Sequence, residues 1–314
     1  MKKFTKLVLA TSVAFSANAM AMQAMDEASL SETTGQEGIS IGIGISKIEI
    51  EKLYIHDNDG YSGAGGTGAA GAIVIEANGK GATAAHGVVV GANYDNNGAY
   101  LLPTRNLADL KIDSDAGGGN PFINIAAAVS GLDIHIGQIG VVASGDEPAA
   151  DATSIRRGGQ GTTNAILSGL SIKTGPMSAN IQLGAAPQGA MIKLNANMIG
   201  GLEIKDLGIL DNSTKTDTRA AGEIFIESIK LTDANSRDLA LNQSISVFGE
   251  EAASKGYIRI VSTSGAHDNY VKGIHLGSRT AASIGDMEIQ GLQTYFSPAL
   301  GQYAPGAIIT IAGH

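Results

Sequence analysis

The sequence predicts an all-β protein of long, glycine-bent strands in an elongated architecture, either a sheet stack of prism or sandwich type or a β-solenoid. Three observations carry that expectation. Isoleucine-rich runs alternate with period two, as where Ile39, Ile41, Ile43 and Ile45 are separated by Ser40, Gly42 and Gly44. Glycine supplies 43 of 314 residues, about twice its ordinary share, and glycine is costly inside helices. Past the N-terminal segment, no run shows an apolar face at helical spacing.

The first 21 residues stand outside the folding problem. Lys2, Lys3 and Lys6 precede the apolar run Leu7 to Phe15, and Ala17-Asn18-Ala19-Met20-Ala21 offers small residues for cleavage, so residues 1–21 read as a secretory signal. The apolar run is too short to span a bilayer, which takes about 20 residues. Cleavage after Ala21 leaves 18 basic and 30 acidic residues, an acidic exported chain.

Residues 22–45 form a leader that includes the first strand. Met22 to Glu37 is polar, with Gly35 as a stop signal, and allows one short helix. The Ile39–Ile45 alternation follows directly, with a nearly bare second face. A phase shift at Ser46-Lys47 leads to Ile48, Ile50, Leu53 and Ile55, closed by the turn-like Asp57-Asn58-Asp59-Gly60.

Residues 46–314 repeat the same grammar as a single β-rich domain. Ile123, Ile125, Ala127 and Val129 lead to Gly131-Leu132-Asp133-Ile134; Ile192, Leu194, Ala196 and Met198 lead to Gly201-Leu202-Glu203-Ile204. A third Gly-Leu-x-Ile element stands at Gly169-Leu170-Ser171-Ile172, and looser relatives begin at Gly273 and Gly291. A glycine inside a period-two run marks a bulge or corner where the strand bends and its side chains change face. The polar segments 115–120, 158–161 and 211–217 separate strands rather than domains.

Composition also limits function. Only 16% of residues are charged and the net charge is −9, so the clustered cations that nucleic acid requires are missing. With no cysteine, disulfides, thiol catalysis and cysteine metal sites are excluded. Gly63-Ala64-Gly65-Gly66-Thr67-Gly68 spells a dinucleotide fingerprint, but a strand-like run, Ala72-Ile73-Val74-Ile75-Glu76, stands where a helix is required. Gly38-Ile39-Ser40-Ile41-Gly42 spells a nucleophile elbow, yet its serine sits within strand alternation. The six histidines lack close zinc-type spacing and read as surface positions. Asp57-Asn58-Asp59-Gly60 and Asp95-Asn96-Asn97-Gly98 read as turns, neither continuing to the distal glutamate of an EF-hand. These readings leave no catalytic residue, no metal ligand, no cofactor and no small-molecule substrate, and the chain is expected not to be an enzyme.

The stretch from Met22 to Ile43 resembles the start of the FilA-type pilus assembly proteins of Acinetobacter and related Gram-negative bacteria. The resemblance rests on Asp26-Glu27, Leu30-Ser31-Glu32, Thr34-Gly35-Gln36 and the Gly-Ile alternation from Gly38; beyond these two dozen residues it is one of length and composition. It implies a secreted component of a surface filament, or of its assembly, that passes the periplasm to reach the cell surface as part of a fimbrium, with copies of itself, other pilus subunits or assembly machinery as partners.

Ile39, Ile41, Ile43 and Ile45 are accordingly the candidate polymerisation residues. A strand with isoleucines on one face can pair with a sheet edge of a neighbouring subunit, or can complete the subunit's own sheet. An outer-membrane β-barrel and a secreted β-rich ligand-binding protein are the competing expectations. The barrel is disfavoured by the lack of Trp, by two of six Phe lying in the signal, at Phe4 and Phe15, and by the final residue, His314.

Overall fold

The computed structural model describes residues 38–251 and 255–313. The expected signal and short helix, residues 1–37, lie outside the described residues. Within them the protein is all-β, as the alternation predicts, and its strands form two large antiparallel sheets that stay open.

The chain visits the sheets in turn. β1 (Ile39–Ile43) lies in sheet A; β2 (Lys47–Ile50), β3 (Leu53–Asp57), β4 (Gly71–Glu76) and β5 (Val88–Ala92) lie in sheet B. β6 (Ala108–Asp115) and β7 (Phe122–Val129) return to sheet A, and β8 (Leu132–Ile136), β9 (Gln138–Ser144) and β10 (Gly159–Lys173) go back to sheet B. Pairs then alternate: β11 (Met177–Gly184) and β12 (Ile192–Met198) in A, β13 (Leu202–Asp211) and β14 (Gly222–Asp233) in B, β15 (Leu239–Phe248) and β16 (Tyr257–Thr263) in A, β17 (His267–Gly277) and β18 (Ser283–Leu292) in B. A small pair, β19 (Tyr295–Phe296) with β20 (Ala304–Pro305), precedes β21 (Ala307–Ala312), the last strand of A.

Strand order rises with the sequence in both sheets: β1-β6-β7-β11-β12-β15-β16-β21 in A and β2-β5-β8-β10-β13-β14-β17-β18 in B. β3, β4 and β9 branch from β10. The fold is therefore a succession of eight rungs, each made of one A strand and one B strand. β1 with β2 is the first rung and β18 with β21 the eighth. Adjacent rungs run antiparallel, so each is laid beside its predecessor without long-range rearrangement.

The register explains why isoleucine is so frequent. In sheet A one cross-strand row reads Ile39, Ile112, Ile125, Ile181, Ile192, Ile245, Ile260 and Ile309, isoleucine at every strand from edge to edge. In sheet B the matching row reads Ile48, Val90, Ile134, Ile172, Ile204, Ile229, Val271 and Met287. The three Gly-Leu-x-Ile elements thus meet in space, because Ile134, Ile172 and Ile204 are neighbours in one row. Branched residues suit this pleated surface, where directly opposite Cβ atoms lie about 5 Å apart and each apolar pair contributes roughly 0.2–1 kcal/mol.

Several residues are buried where the chain passes between the sheets. Ser130, Asn93, Thr174, Met198 and Leu239 are buried there. Backbone groups leave the ladder at this bend, and small polar side chains take them up. Ser130 Oγ donates to Asn106 O (2.7 Å) and accepts from Leu102 N (3.0 Å); Thr174 Oγ1 accepts from Leu132 N (2.9 Å); Asn93 Nδ2 donates to Thr174 O (3.0 Å). Gly131 is required by this close approach, since a Cβ there would lie 2.6 Å from Thr174 O. A second core, Ala72, Val74 and Val142 with Tyr54, lies in the β3–β4–β9 branch.

A second bend crosses sheet B and shifts the apolar pattern to the opposite face. In β13, Ile204 lies on one face while Leu207 and Ile209 lie on the other, and Asp206 between them has φ +57°. Gly169 (φ +131°) and Gly273 (φ +64°) occupy comparable places in β10 and β17. The polar segments 115–120 and 211–217 lie at strand-to-strand connections, as expected, whereas Gly159, Gln160 and Gly161 of the third segment lie within β10, where Gly159 and Gln160 pair with Ser144 and Ala143 of β9.

The first strand is shorter than expected. The alternation Ile39 to Ile45 does not make a single strand: β1 ends at Ile43, and Ile45 lies in the bend that takes the chain to sheet B. Gly44 and Ser46 flank it, and the change of sheet interrupts the period where the sequence alone shows continuous alternation.

Replacing Gly131 with Ala forces a methyl group onto packed backbone and is expected to lower unfolding free energy by about 1–3 kcal/mol. Gly249→Ala, where an added methyl group meets nothing within 4 Å, leaves stability unchanged. Urea midpoints of the two variants check this.

Candidate functional site

Two places carry the chemistry of the described residues: the outer edges of the terminal rungs and a polar brace on sheet B. β1 pairs through one side with β6 of its own chain, Ile39 opposite Ile112 and Ile43 opposite Ala108. The strand therefore completes the subunit's own sheet, and among the described residues no strand lies beside its other side. Ile39 is 62% and Ile41 42% exposed, Ile43 is half-buried, and Ile45 stands 43% exposed in the bend. Ser40 lies on the opposite, polar face, across from Lys111, as an ordinary strand residue.

β21 holds the other end of sheet A. Among the described residues it pairs with β16 alone, and Ile309 (52%) and Ile311 (53%) stand exposed on the face that carries the isoleucine row. Natural edge strands are usually blunted by charge, proline or a bulge. β1 reads Ile-Ser-Ile-Gly-Ile and β21 reads Ala-Ile-Ile-Thr-Ile-Ala, with none of these devices. The sequence pointed to β1 by its clean alternation. It gave no comparable sign for β21, where Ile308, Ile309 and Ile311 break the period.

The two edges of sheet B differ in charge. On its polar face one row reads Lys47, Gly91, Asp133, Lys173, Glu203, Lys230, Tyr270 and Glu288. Opposite charges meet along it: Lys173 Nζ lies 3.6 Å from Asp133 Oδ2, and an Asp95 carboxylate at 2.7 Å adds a further partner. These contacts hold the Lys173 ammonium above its ordinary pKa, the Asp95 hydrogen bond contributing most. The row ends in a cation at β2 and an anion at β18.

The brace joins residues far apart in the chain. Arg279 Nη2 donates to Glu223 Oε1 (2.7 Å) and Ser168 Oγ (2.8 Å), Nε donates to Glu223 Oε2 (3.2 Å), and Ser168 Oγ donates to Glu223 Oε1 (2.6 Å). The guanidinium carbon lies 4.6 Å from the Phe225 ring centroid. Beside it is a groove of about 350 Å³ lined in part by Lys80, His135, Ser168, Asp206 and Arg279. Burial pushes the Glu223 carboxyl up, but Arg279 and Ser168 outweigh it, and the group titrates below its usual 4.5. Lowering its pKa makes this carboxylate a weaker base toward the Ser168 hydroxyl. The arrangement ties the β17–β18 connection to β10 and β14.

His275 departs from the expected surface position. It is 9% exposed, with Nδ1 2.6 Å from Ala281 O and Nε2 3.3 Å from Glu227 Oε1. Its strand neighbours gave no hint, because burial there comes from the returning connection. His314 lies outside the described residues. Asn96, Asn97 and Gly98 all have positive φ, in keeping with turn chemistry, and no three His, Asp or Glu side chains converge as a metal site among the described residues. The 63–68 glycines lie in the β3–β4 connection, followed by a strand.

A depressed carboxyl pKa stabilises the folded state above the unfolded pKa, and that contribution is lost as pH falls through the folded value. Wild-type protein is thus expected to lose stability below pH 4.5. Glu223→Gln should be about 1–3 kcal/mol less stable at neutral pH and show a smaller acid-side loss, read from urea unfolding at pH 7 and pH 3.5.

Comparison with known proteins adds one finding. A family of unknown function (DUF6160) matches residues 1–113, a stretch that ends within β6. No curated protein and no solved structure matches the chain.

Proposed function

We propose that the protein is a non-enzymatic, exported component of a cell-surface filament, a structural subunit or an assembly factor that works through strand and apolar contacts. The observation that carries this reading is the pair of unblunted terminal strands in sheet A, at opposite ends of an uninterrupted isoleucine row. Exposed backbone donors and acceptors on such a strand favour pairing with another chain. The signal-like N-terminus supports export, and the resemblance to FilA-type proteins supports a filament role. With β1 seated on β6, the strand serves as an edge for a partner rather than as a segment lent to a neighbour's sheet. Contacts between unlike ends build fibres wherever the rotation between copies does not close a ring.

Electron microscopy tests the reading directly. Cells lacking the protein should lose a class of surface filament and attach less well, and immunogold label should follow the filaments in the parent cells. An unchanged surface with normal attachment overturns it. Ile41→Lys and Ile309→Lys place charge on the two edges and should each leave a folded protein that no longer supports filaments.

A further inference from the structure

We infer that the partner of the first rung is the eighth rung of a second copy of this chain, so that copies stack head to tail and both sheets run on across the junction. This rests on the filament reading and specifies its contact.

Strand direction supplies the first argument. Eight rungs alternate in direction, so β21 runs opposite to β1 and β18 opposite to β2. Placing the first rung of one copy beside the eighth rung of another therefore continues the antiparallel pattern in both sheets, with the facing strands at the ordinary spacing of about 4.8 Å.

Side-chain register supplies the second. In sheet A the arrangement that carries the isoleucine row forward puts Ile39 opposite Ile309 of the neighbouring copy and Ser40 opposite Ile308. In sheet B the corresponding arrangement puts Ile48 opposite Met287. The same register sets Lys47 against Glu288, the two oppositely charged ends of the polar row, and opposite charges across strands favour pairing. It also sets Glu49 directly opposite Asp286, a like-charge pair that each strand offsets within its own copy. Asp286 is already turned back onto β17, accepting from Gly273 N (2.8 Å) and Tyr270 Oη (2.8 Å), while Glu49 is paired with Lys47. Apolar continuity in two sheets and the complementary charged ends agree on one register.

The chain lacks cysteine, so paired thiols report this contact without background. Under mild oxidation of assembled protein, Ser40→Cys combined with Ile308→Cys in one chain should give a ladder of disulfide-linked multimers. Each single variant should give dimers at most. Filaments or oligomers without that ladder overturn the proposed contact and leave the filament reading standing. Wild-type protein that stays monomeric by sedimentation and forms no filaments on cells overturns both. A second measurement is independent of cross-linking. Lys47→Glu and Glu288→Lys should each raise the concentration needed for assembly about two- to fivefold, and the double reversal should restore it. No recovery in the double reversal, with all variants folded by circular dichroism, overturns the sheet B register.

Discussion

Antiparallel backbone pairing between consecutive rungs is the interaction on which the rest of the structure depends. The described residues hold small clusters of fully buried side chains, and most isoleucines on the apolar rows remain partly exposed. Cohesion comes from the hydrogen-bond ladder together with side-chain contacts running sideways along each row. Because contacts are largely between neighbouring rungs, stability accumulates rung by rung, as in repeat proteins. The lack of disulfides is compatible with this plan, since no loop needs closing to bring distant strands together.

Such a ladder is vulnerable where the chain turns from one sheet to the other. Backbone groups that lose strand partners must find others, and Ser130, Asn93 and Thr174 supply them from within the bend. These short polar side chains let neighbouring rungs approach closely, and glycine at 131 removes the remaining obstacle. Elsewhere the brace of Arg279, Glu223 and Ser168 holds a connection against sheet B and gives that region a charge-dependent stability that the apolar rows lack.

Much of this was legible in the sequence because alternation and glycine interruption are local signals. Ile123 to Val129 followed by Gly131 announces a strand, a bend and a new strand, and the structure has all three. What sequence could not give was register. That Ile39 and Ile309 end one row, or that Lys47 and Glu288 end another, depends on every intervening pairing. Ser168, Glu223 and Arg279 are likewise separated by 55 or 56 residues at each step, with nothing local to join them. Ile45 shows the reverse failure, a local pattern that continued past the point where the chain left its sheet. That Ile39 and Ile41 lie in a strand followed from alternation, but that β1 and β21 are the two edges of their sheet followed only from topology.

The even number of rungs has a consequence for how chains of this kind can change in length. Adding or deleting one rung would reverse the direction of the last strand in both sheets. The two ends would then meet in parallel, with a different hydrogen-bond geometry and a broken row. Adding or deleting a hairpin, two rungs together, preserves the polarity of the ends. Length variation in such a protein is therefore quantised in hairpins, about the span from β11 to β14, and the two faces of any stack stay chemically distinct however long the repeat becomes.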